Sequence, residues 1–132
     1  LAFNKWFKEQ FMVPGAEWTA ESIRNSWEDI IYSMNQKIKE YGASQGVEMG
    51  TTITAVLFLK DKYYAIHVGD SRLYELSDGC RQITEDQTLI ARELAQGIIT
   101  KEQALTDSRR NVLLQCIGVT QKLLPAFYSV SA

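Results

Sequence analysis

The stretch Val68-Gly69-Asp70-Ser71-Arg72 decides how the rest of the chain is interpreted. It lies between two strand-like runs, residues 63–67 and 73–76. A Gly-Asp pair in this position predicts a tight β-hairpin, because glycine supplies the positive φ that a two-residue primed turn requires. Such a turn holds the Asp70 carboxylate at the rim of a sheet, within reach of a cation. Aspartate beside glycine also often hydrogen-bonds only its own backbone, and this alternative stays open here.

Four short strands are predicted around this turn. Residues 53–59 are apolar at nearly every position, which is typical of a central strand covered on both faces. Turn signals then separate this strand from the next three, so that residues 50–84 are predicted to form an antiparallel meander with strands at 63–68, 72–76 and 81–84. A sheet of this kind needs cover on both sides. We expect a second sheet on one face and helices on the other.

Helices are predicted on both sides of the meander. Residues 1–45 carry an aromatic stripe followed by an apolar stripe with steps of three and four residues over about five turns. Residues 87–118 are predicted to be a second helical region, in which residues 109–118 form the last helix. Three threonines suit the N-cap position: Thr19, Thr88 and Thr100.

Composition limits the possible functions. The chain has 132 residues, 45% hydrophobic and 23% charged, which suits one domain with its own core. Its net charge of -2 leaves no broad basic surface for nucleic acid, and no apolar run is long enough to cross a membrane. The cysteines, Cys80 and Cys116, lack metal-binding or redox spacing. They are therefore expected to be reduced, in a cytoplasmic protein.

Several short motifs resemble those of the metal-dependent serine/threonine protein phosphatases of type 2C. They occur in the order and approximate spacing of that family over residues 30–125. The matching segments are Met49-Gly50-Thr51-Thr52, Val68-Gly69-Asp70-Ser71-Arg72, Ile83-Thr84-Glu85-Asp86, Gly97-Ile98-Ile99-Thr100-Lys101-Glu102-Gln103-Ala104, Arg110-Asn111-Val112-Leu113 and Ile117-Gly118.

The resemblance implies a fold class and a domain organisation. The expected fold is α+β, an antiparallel β-sandwich flanked by antiparallel helices. Residues 1–132 are interpreted as one partial phosphatase-like domain, truncated at both ends, with residues 119–132 as a terminal strand segment. The aspartate-rich motifs that hold two metal ions in the family do not occur here, because the only Asp-Gly pair is Asp78-Gly79 and its spacing suits a hairpin.

The resemblance also implies a metal site that uses Mg²⁺ or Mn²⁺, with Asp70 as a metal ligand in the intact domain. Supporting or structural roles fall to Thr51, Thr52, Arg72 and Asp86. For the threonines, orientation of metal-bound water stands beside simple strand preference. For Arg72, an ion pair is favoured over a phosphate clamp. No catalytic residue is assigned within the chain.

Two other positions differ from the family's pattern or function. Position 87 is Gln where the family has histidine, which leaves the role of that position open. His67 is the only histidine, and its alternation with Ala65 and Tyr63 predicts packing instead of proton transfer.

Three arginines of the region 87–110 are candidate phosphate ligands: Arg92, Arg109 and Arg110. The alternative is that they are solvated surface residues.

The implied activity is hydrolysis of phosphoserine and phosphothreonine by a metal-activated water, and the isolated chain is expected to be inactive. The implied partner is a phosphorylated protein, with no nucleic acid and no membrane. A catalytically inactive regulatory or interaction module is the alternative. Exposed sheet edges also predict homo-oligomers.

Overall fold

The computed structural model describes residues 1–131. A π-helical turn, Phe7–Phe11, follows the first helix directly. The other elements, in chain order, are α1 (Ala2–Trp6), α2 (Ala20–Gln45), β1 (Ile53–Leu59), β2 (Lys62–Val68), β3 (Tyr74–Leu76), β4 (Cys80–Gln82), α3 (Leu89–Ala95), α4 (Lys101–Thr106) and β5 (Ala126–Ser131). None of the helices in this described part combines the length and apolarity that crossing a bilayer requires.

The long helix α2 begins and ends at residues that local chemistry selects. Thr19 Oγ1 accepts the backbone N–H of Ser22 at 3.1 Å, and Ser22 Oγ accepts the N–H of Thr19 at 2.9 Å. This reciprocal capping box satisfies two of the N–H groups that a helix start leaves unpaired. Gly46 ends the helix in the left-handed conformation, at φ 68°. The predicted cap at Thr19 is confirmed.

The predicted meander is wrong at Gly69-Asp70. No hairpin forms there, because β2 pairs with β1 on one side and with β5 on the other, both antiparallel. The strands β3 and β4 pair with each other in a separate two-stranded sheet. The residue ranges of the strands were close to the predicted ones, whereas the partner of β2 lies almost sixty residues further along the chain, beyond the reach of a local pattern.

The central strand of the larger sheet is β2, and the prediction of a central β1 is wrong. Every residue of β2 after Lys62 is buried, whereas Phe58 of β1 is 76% exposed. Among the described residues, β1 and β5 are the two edges of this sheet. Homo-oligomerisation through these edges stays a prediction.

Helices cover one face of the larger sheet. Trp27 and Ile31 of α2 belong to the same buried cluster as Ile66 and Val68 of β2. Trp6 of α1 meets Trp27 edge to face, with ring centroids 5.7 Å apart. On the opposite face of β2, Tyr63 donates its hydroxyl to Glu75 of the small sheet at 2.8 Å. The protein therefore has the predicted α+β fold, with helices on one side and a second sheet on the other.

The last predicted helix, residues 109–118, is wrong. Thr88 and Thr100 cap α3 and α4 as predicted, but the chain beyond them forms turns and two isolated β-bridges, Thr51 with Ile117 and Thr88 with Leu113. The backbone N–H and C=O of Ile117 both bond to Thr51, at 2.9 Å each. These pairings use groups that a helix would bond internally, so the apolar residues of this segment anchor it to the start of β1.

Candidate functional site

Asp70 lies at the end of the larger sheet where β1 begins and β2 stops. Ile53 pairs with Val68, so residues 52 and 69 are close neighbours just outside the ladder. Gly69 has φ 115°, and a Cβ added to it would lie 2.3 Å from Cγ2 of Thr52. Only glycine combines this φ with so close an approach. The chain therefore leaves the sheet through a conformation that turns Asp70 out towards solvent.

The Asp70 carboxylate is available to a ligand. Its neighbours are engaged elsewhere: Ser71 Oγ lies 3.1 Å from Thr52 Oγ1, and Arg72 binds Asp86. Asp70 itself is exposed and, within residues 1–131, its carboxylate has no side-chain partner. An exposed carboxylate on a fixed backbone suits a hard cation.

One carboxylate does not make a metal centre. Across residues 1–131, no three His, Cys, Asp or Glu side chains come together in a group that could hold a metal ion. Magnesium demands octahedral oxygen coordination and gives up its water reluctantly, so a single aspartate binds it weakly. The described residues alone therefore do not fit a complete Mg²⁺ or Mn²⁺ site.

The two predicted threonines lie beside this position. Thr51 is exposed, is held by its bridge to Ile117, and donates its hydroxyl to the carbonyl of Thr52 at 3.0 Å. Thr52 is half-buried, and its hydroxyl bonds with that of Ser71. The structure thus ties the start of β1 to the Asp70 loop through Thr52.

Arg72 and Asp86 form a two-point ion pair. Arg72 Nε donates to Asp86 Oδ1 at 2.9 Å and Nη2 donates to Oδ2 at 2.6 Å. Gln82 adds a further bond to Oδ1 at 3.2 Å. The hydrogen bonds from Arg72 hold the pKa of Asp86 below its usual range, since they favour the charged carboxylate. This guanidinium is engaged with a protein carboxylate and joins the Asp70 loop to the segment 82–87.

His67 is fully buried on the face of β2 opposite the helices. Its Nε2 lies 3.2 Å from the carbonyl oxygen of Glu85, and its Nδ1 lies 2.9 Å from Thr54 Oγ1. Because a carbonyl can only accept, Nε2 carries the proton and Nδ1 accepts from the threonine hydroxyl. Burial lowers the pKa of His67, since it disfavours the charged imidazolium. The residue packs the segment after β4 against β2.

Gln87 is a site residue to which sequence reasoning assigned no role. Its Oε1 accepts the N–H of Gly69 at 2.7 Å, and its Nε2 donates to the carbonyl of His67 at 3.3 Å. Its own backbone N–H donates to the carbonyl of Gly69 at 3.0 Å, and its carbonyl accepts the N–H of Leu114 at 2.8 Å. The only signal in the sequence was that position 87 departs from the family's histidine.

The arginines of the region 87–110 differ in availability. Arg109 binds Glu93 at 2.7 Å and Asp107 at 2.9 Å, and the hydrogen bonds from Arg109 to Asp107 lower the pKa of Asp107 to about 2. Arg110 donates to the carbonyl of Leu105 at 3.2 Å. Arg92 lines an open cleft of about 680 Å³ that also touches Tyr128 of β5. Arg92 therefore faces a cleft, whereas Arg109 and Arg110 are bonded to other groups of the protein.

No family model matches the chain, but its sequence is similar to those of several bacterial protein phosphatases. The serine/threonine phosphatase stp of Listeria innocua is 38% identical over 108 residues, which cover 80% of this chain and 43% of that protein. A Streptococcus pyogenes relative named as a 2C-type protein phosphatase is 33% identical over 119 residues, covering 84% of this chain and 48% of that protein.

Solved structures of serine/threonine phosphatases are also similar to this chain. The S. agalactiae serine/threonine phosphatase has a TM-score of 0.83 at 27% identity and covers 98% of this chain and 54% of that one. The catalytic domain of PstP, solved in complex with two manganese ions, has a TM-score of 0.73 at 26% identity, covering 99% and 53% of the two chains.

Fold, motifs and relatives together define part of a serine/threonine protein phosphatase domain. The chain belongs to the type 2C family of these phosphatases. It spans about half the length of the curated relatives it matches.

Proposed function

We propose that the protein to which this chain belongs hydrolyses phosphoserine and phosphothreonine in phosphorylated proteins, and that it uses Mn²⁺ or Mg²⁺. The observation that carries the proposal is the free Asp70 carboxylate, which Gly69 at φ 115° and the Arg72–Asp86 pair present at the rim of the larger sheet. Family membership and the manganese-bound PstP structure support the choice of ion.

In this proposal, Asp70 is one of several metal ligands. Bound divalent ions neutralise phosphate oxygens and lower the pKa of water, which is the chemistry a phosphomonoester needs. The remaining ligands come from outside residues 1–131, because the described residues offer no further cluster. The chain alone is therefore expected to show essentially no turnover.

The test compares the complete protein with the chain alone. Release of phosphate from a phosphothreonine peptide and from p-nitrophenyl phosphate is measured against Mn²⁺ concentration, for wild type and Asp70→Asn. Asp61→Asn is the matched control, because Asp61 is also an exposed aspartate but lies in the turn between β1 and β2, at the far end of both strands.

We expect Asp70→Asn to raise the Mn²⁺ concentration for half-maximal activity at least tenfold, an effect of the order seen when a charged contact is lost. Asp61→Asn leaves that concentration unchanged. An Mn²⁺ dependence that is identical in wild type and Asp70→Asn would refute the role of Asp70. A complete protein that binds phosphorylated partners without hydrolysing them would instead support the inactive interaction module.

A further inference from the structure

The direction of the Asp70 side chain depends on the backbone torsions of Gly69, which the residue itself does not restrict. Gly69 has no Cβ, so its φ and ψ are free to vary in the absence of external contacts. A rotation about either torsion would swing Asp70 as a unit. Something outside the loop must therefore fix the two peptide groups that flank the Cα of Gly69.

Gln87 fixes both of those peptide groups. The side-chain oxygen of Gln87 accepts the N–H of Gly69, and the backbone N–H of Gln87 donates to the carbonyl of Gly69. The side-chain nitrogen of Gln87 also donates to the carbonyl of His67, on the other side of Val68. Gln87 thus bonds to the backbone on both sides of the Gly69 Cα. Gly69 itself is buried.

Gln87 is itself held firmly. Its carbonyl accepts the N–H of Leu114, and the next residue, Thr88, caps α3 with its side chain at 3.1 Å. Two bonds of the neighbouring segment reinforce this docking: Glu85 accepts from buried His67, and Asp86 binds Arg72 on the far side of Asp70. Because Gln87 is held in place by these bonds, it can hold the backbone of the Asp70 loop in one position.

We propose that Gln87 is the positioning residue for Asp70, acting through the backbone of Gly69. The proposal rests on the proposed function, in which Asp70 is a metal ligand. An amide suits this task because it offers one acceptor and one donor at once and does not ionise. Glutamate at this position would keep the acceptor for Gly69 and lose the donor for His67, whereas methionine would lose both while keeping a similar length.

The first test measures the backbone directly in the 132-residue chain, by NMR-detected hydrogen exchange of the Gly69 amide. Gln87→Met removes its acceptor, so exchange is expected to accelerate at least tenfold. Gln87→Glu retains the acceptor and is expected to keep exchange within about threefold of wild type.

A matched control comes from Gln115, which makes the same kind of two-point bridge to the backbone of Leu124. Gln115→Met is expected to leave Gly69 exchange unchanged. Slow Gly69 exchange in Gln87→Met, at the wild-type rate, would overturn the proposal. So would equal acceleration in Gln87→Met and Gln115→Met, because it would report general loosening. If Gln87→Met does not fold, Gln87→Asn takes its place, because the shorter amide does not reach the Gly69 N–H: exchange at least tenfold faster than wild type supports the proposal, and exchange at the wild-type rate overturns it.

The second test uses the complete protein and the Mn²⁺ dependence of phosphatase activity. Gln87→Met is expected to raise the half-saturating Mn²⁺ concentration about tenfold and to keep the rate at saturating Mn²⁺ within about threefold, since metal restores the loop. Gln115→Met changes neither. If Asp70→Asn has no effect, the metal-ligand role that the proposed function gives to Asp70 fails. If Asp70→Asn has its effect but Gln87→Met does not, only the role of Gln87 fails.

Discussion

Replacing Gly69 by alanine is expected to destabilise the protein strongly, because Gly69 is buried and combines a positive φ with a close approach to Thr52. The added Cβ would lie 2.3 Å from Cγ2 and 2.6 Å from Cβ of Thr52. Both distances are far below van der Waals contact, and Cβ of Thr52 sits on a backbone that β1 holds in place. The alanine would also have to adopt φ 115°, a region that L-residues rarely enter.

The magnitude follows from these two effects. A left-handed conformation costs a non-glycine residue about 1 to 2 kcal/mol. Forcing an extra carbon into a packed position costs about 1 to 3 kcal/mol more. Because the two effects act on the same backbone and relax together, we expect a loss of about 2 to 5 kcal/mol in the free energy of unfolding. That is a large part of the stability of a small domain.

Alanine substitutions at two other glycines separate the cost of backbone strain from the cost of the clash with Thr52. Gly97 also has a positive φ, 73°, but a Cβ added there would meet no atom within 4 Å, so Gly97→Ala measures backbone strain alone at about 1 kcal/mol. Gly79 has open space and no positive φ, so Gly79→Ala is expected to stay within about 0.5 kcal/mol of wild type.

Urea unfolding followed by tryptophan fluorescence measures all three variants, because Trp6 and Trp27 are buried in the core. The expected order of the loss is Gly69→Ala, then Gly97→Ala, then Gly79→Ala. If Gly69→Ala costs no more than Gly97→Ala, residues 52 and 69 do not approach each other closely in the folded protein, and this contact does not present Asp70.

Two further predictions concern the groups that support Asp70. Asp86→Asn removes the charge that binds Arg72. We expect the free energy of unfolding in urea to fall by up to about 1 kcal/mol at low salt, because Arg72 is half exposed, and by less in 1 M NaCl. An equal loss at both salt concentrations would argue against a charge effect. Burial lowers the pKa of His67, and this effect outweighs the opposite effect of the nearby Asp70 and Asp86 carboxylates. Below about pH 6.5 the unfolded chain therefore binds a proton at His67 that the folded chain does not bind. The free energy of unfolding is expected to fall with decreasing pH by at most about 1.4 kcal/mol per pH unit. His67→Gln removes this component, and a wild-type midpoint that is constant between pH 5 and 7 would contradict the assignment.

Some of the fold was readable from the chain because the relevant interactions are local. Thr19 and Thr100 bond to groups three residues away, so a short window contains both partners of each cap. The strands β1 and β2 were predictable for the same reason, since a short turn joins them and their side chains are apolar. The motif around Asp70 also pointed to the correct family.

Pairings between distant segments were decided only in the tertiary structure. The partner of β2 is β5, and the bridge from Ile117 to Thr51 replaces the helix that the pattern of residues 109–118 predicts. Local patterns cannot show which distant segment will satisfy a buried N–H or C=O, because the competition is settled by burial of the whole core.

The site divides in the same way. The residue types at Asp70, Arg72 and Asp86 are properties of the sequence, and they indicated the chemistry. Their arrangement depends on Gln87, which reaches the backbone of Gly69 from 18 residues away through a hydrogen bond. Glycine leaves its torsions undetermined by its own covalent structure, so the direction of Asp70 is set by a partner that only folding brings into contact.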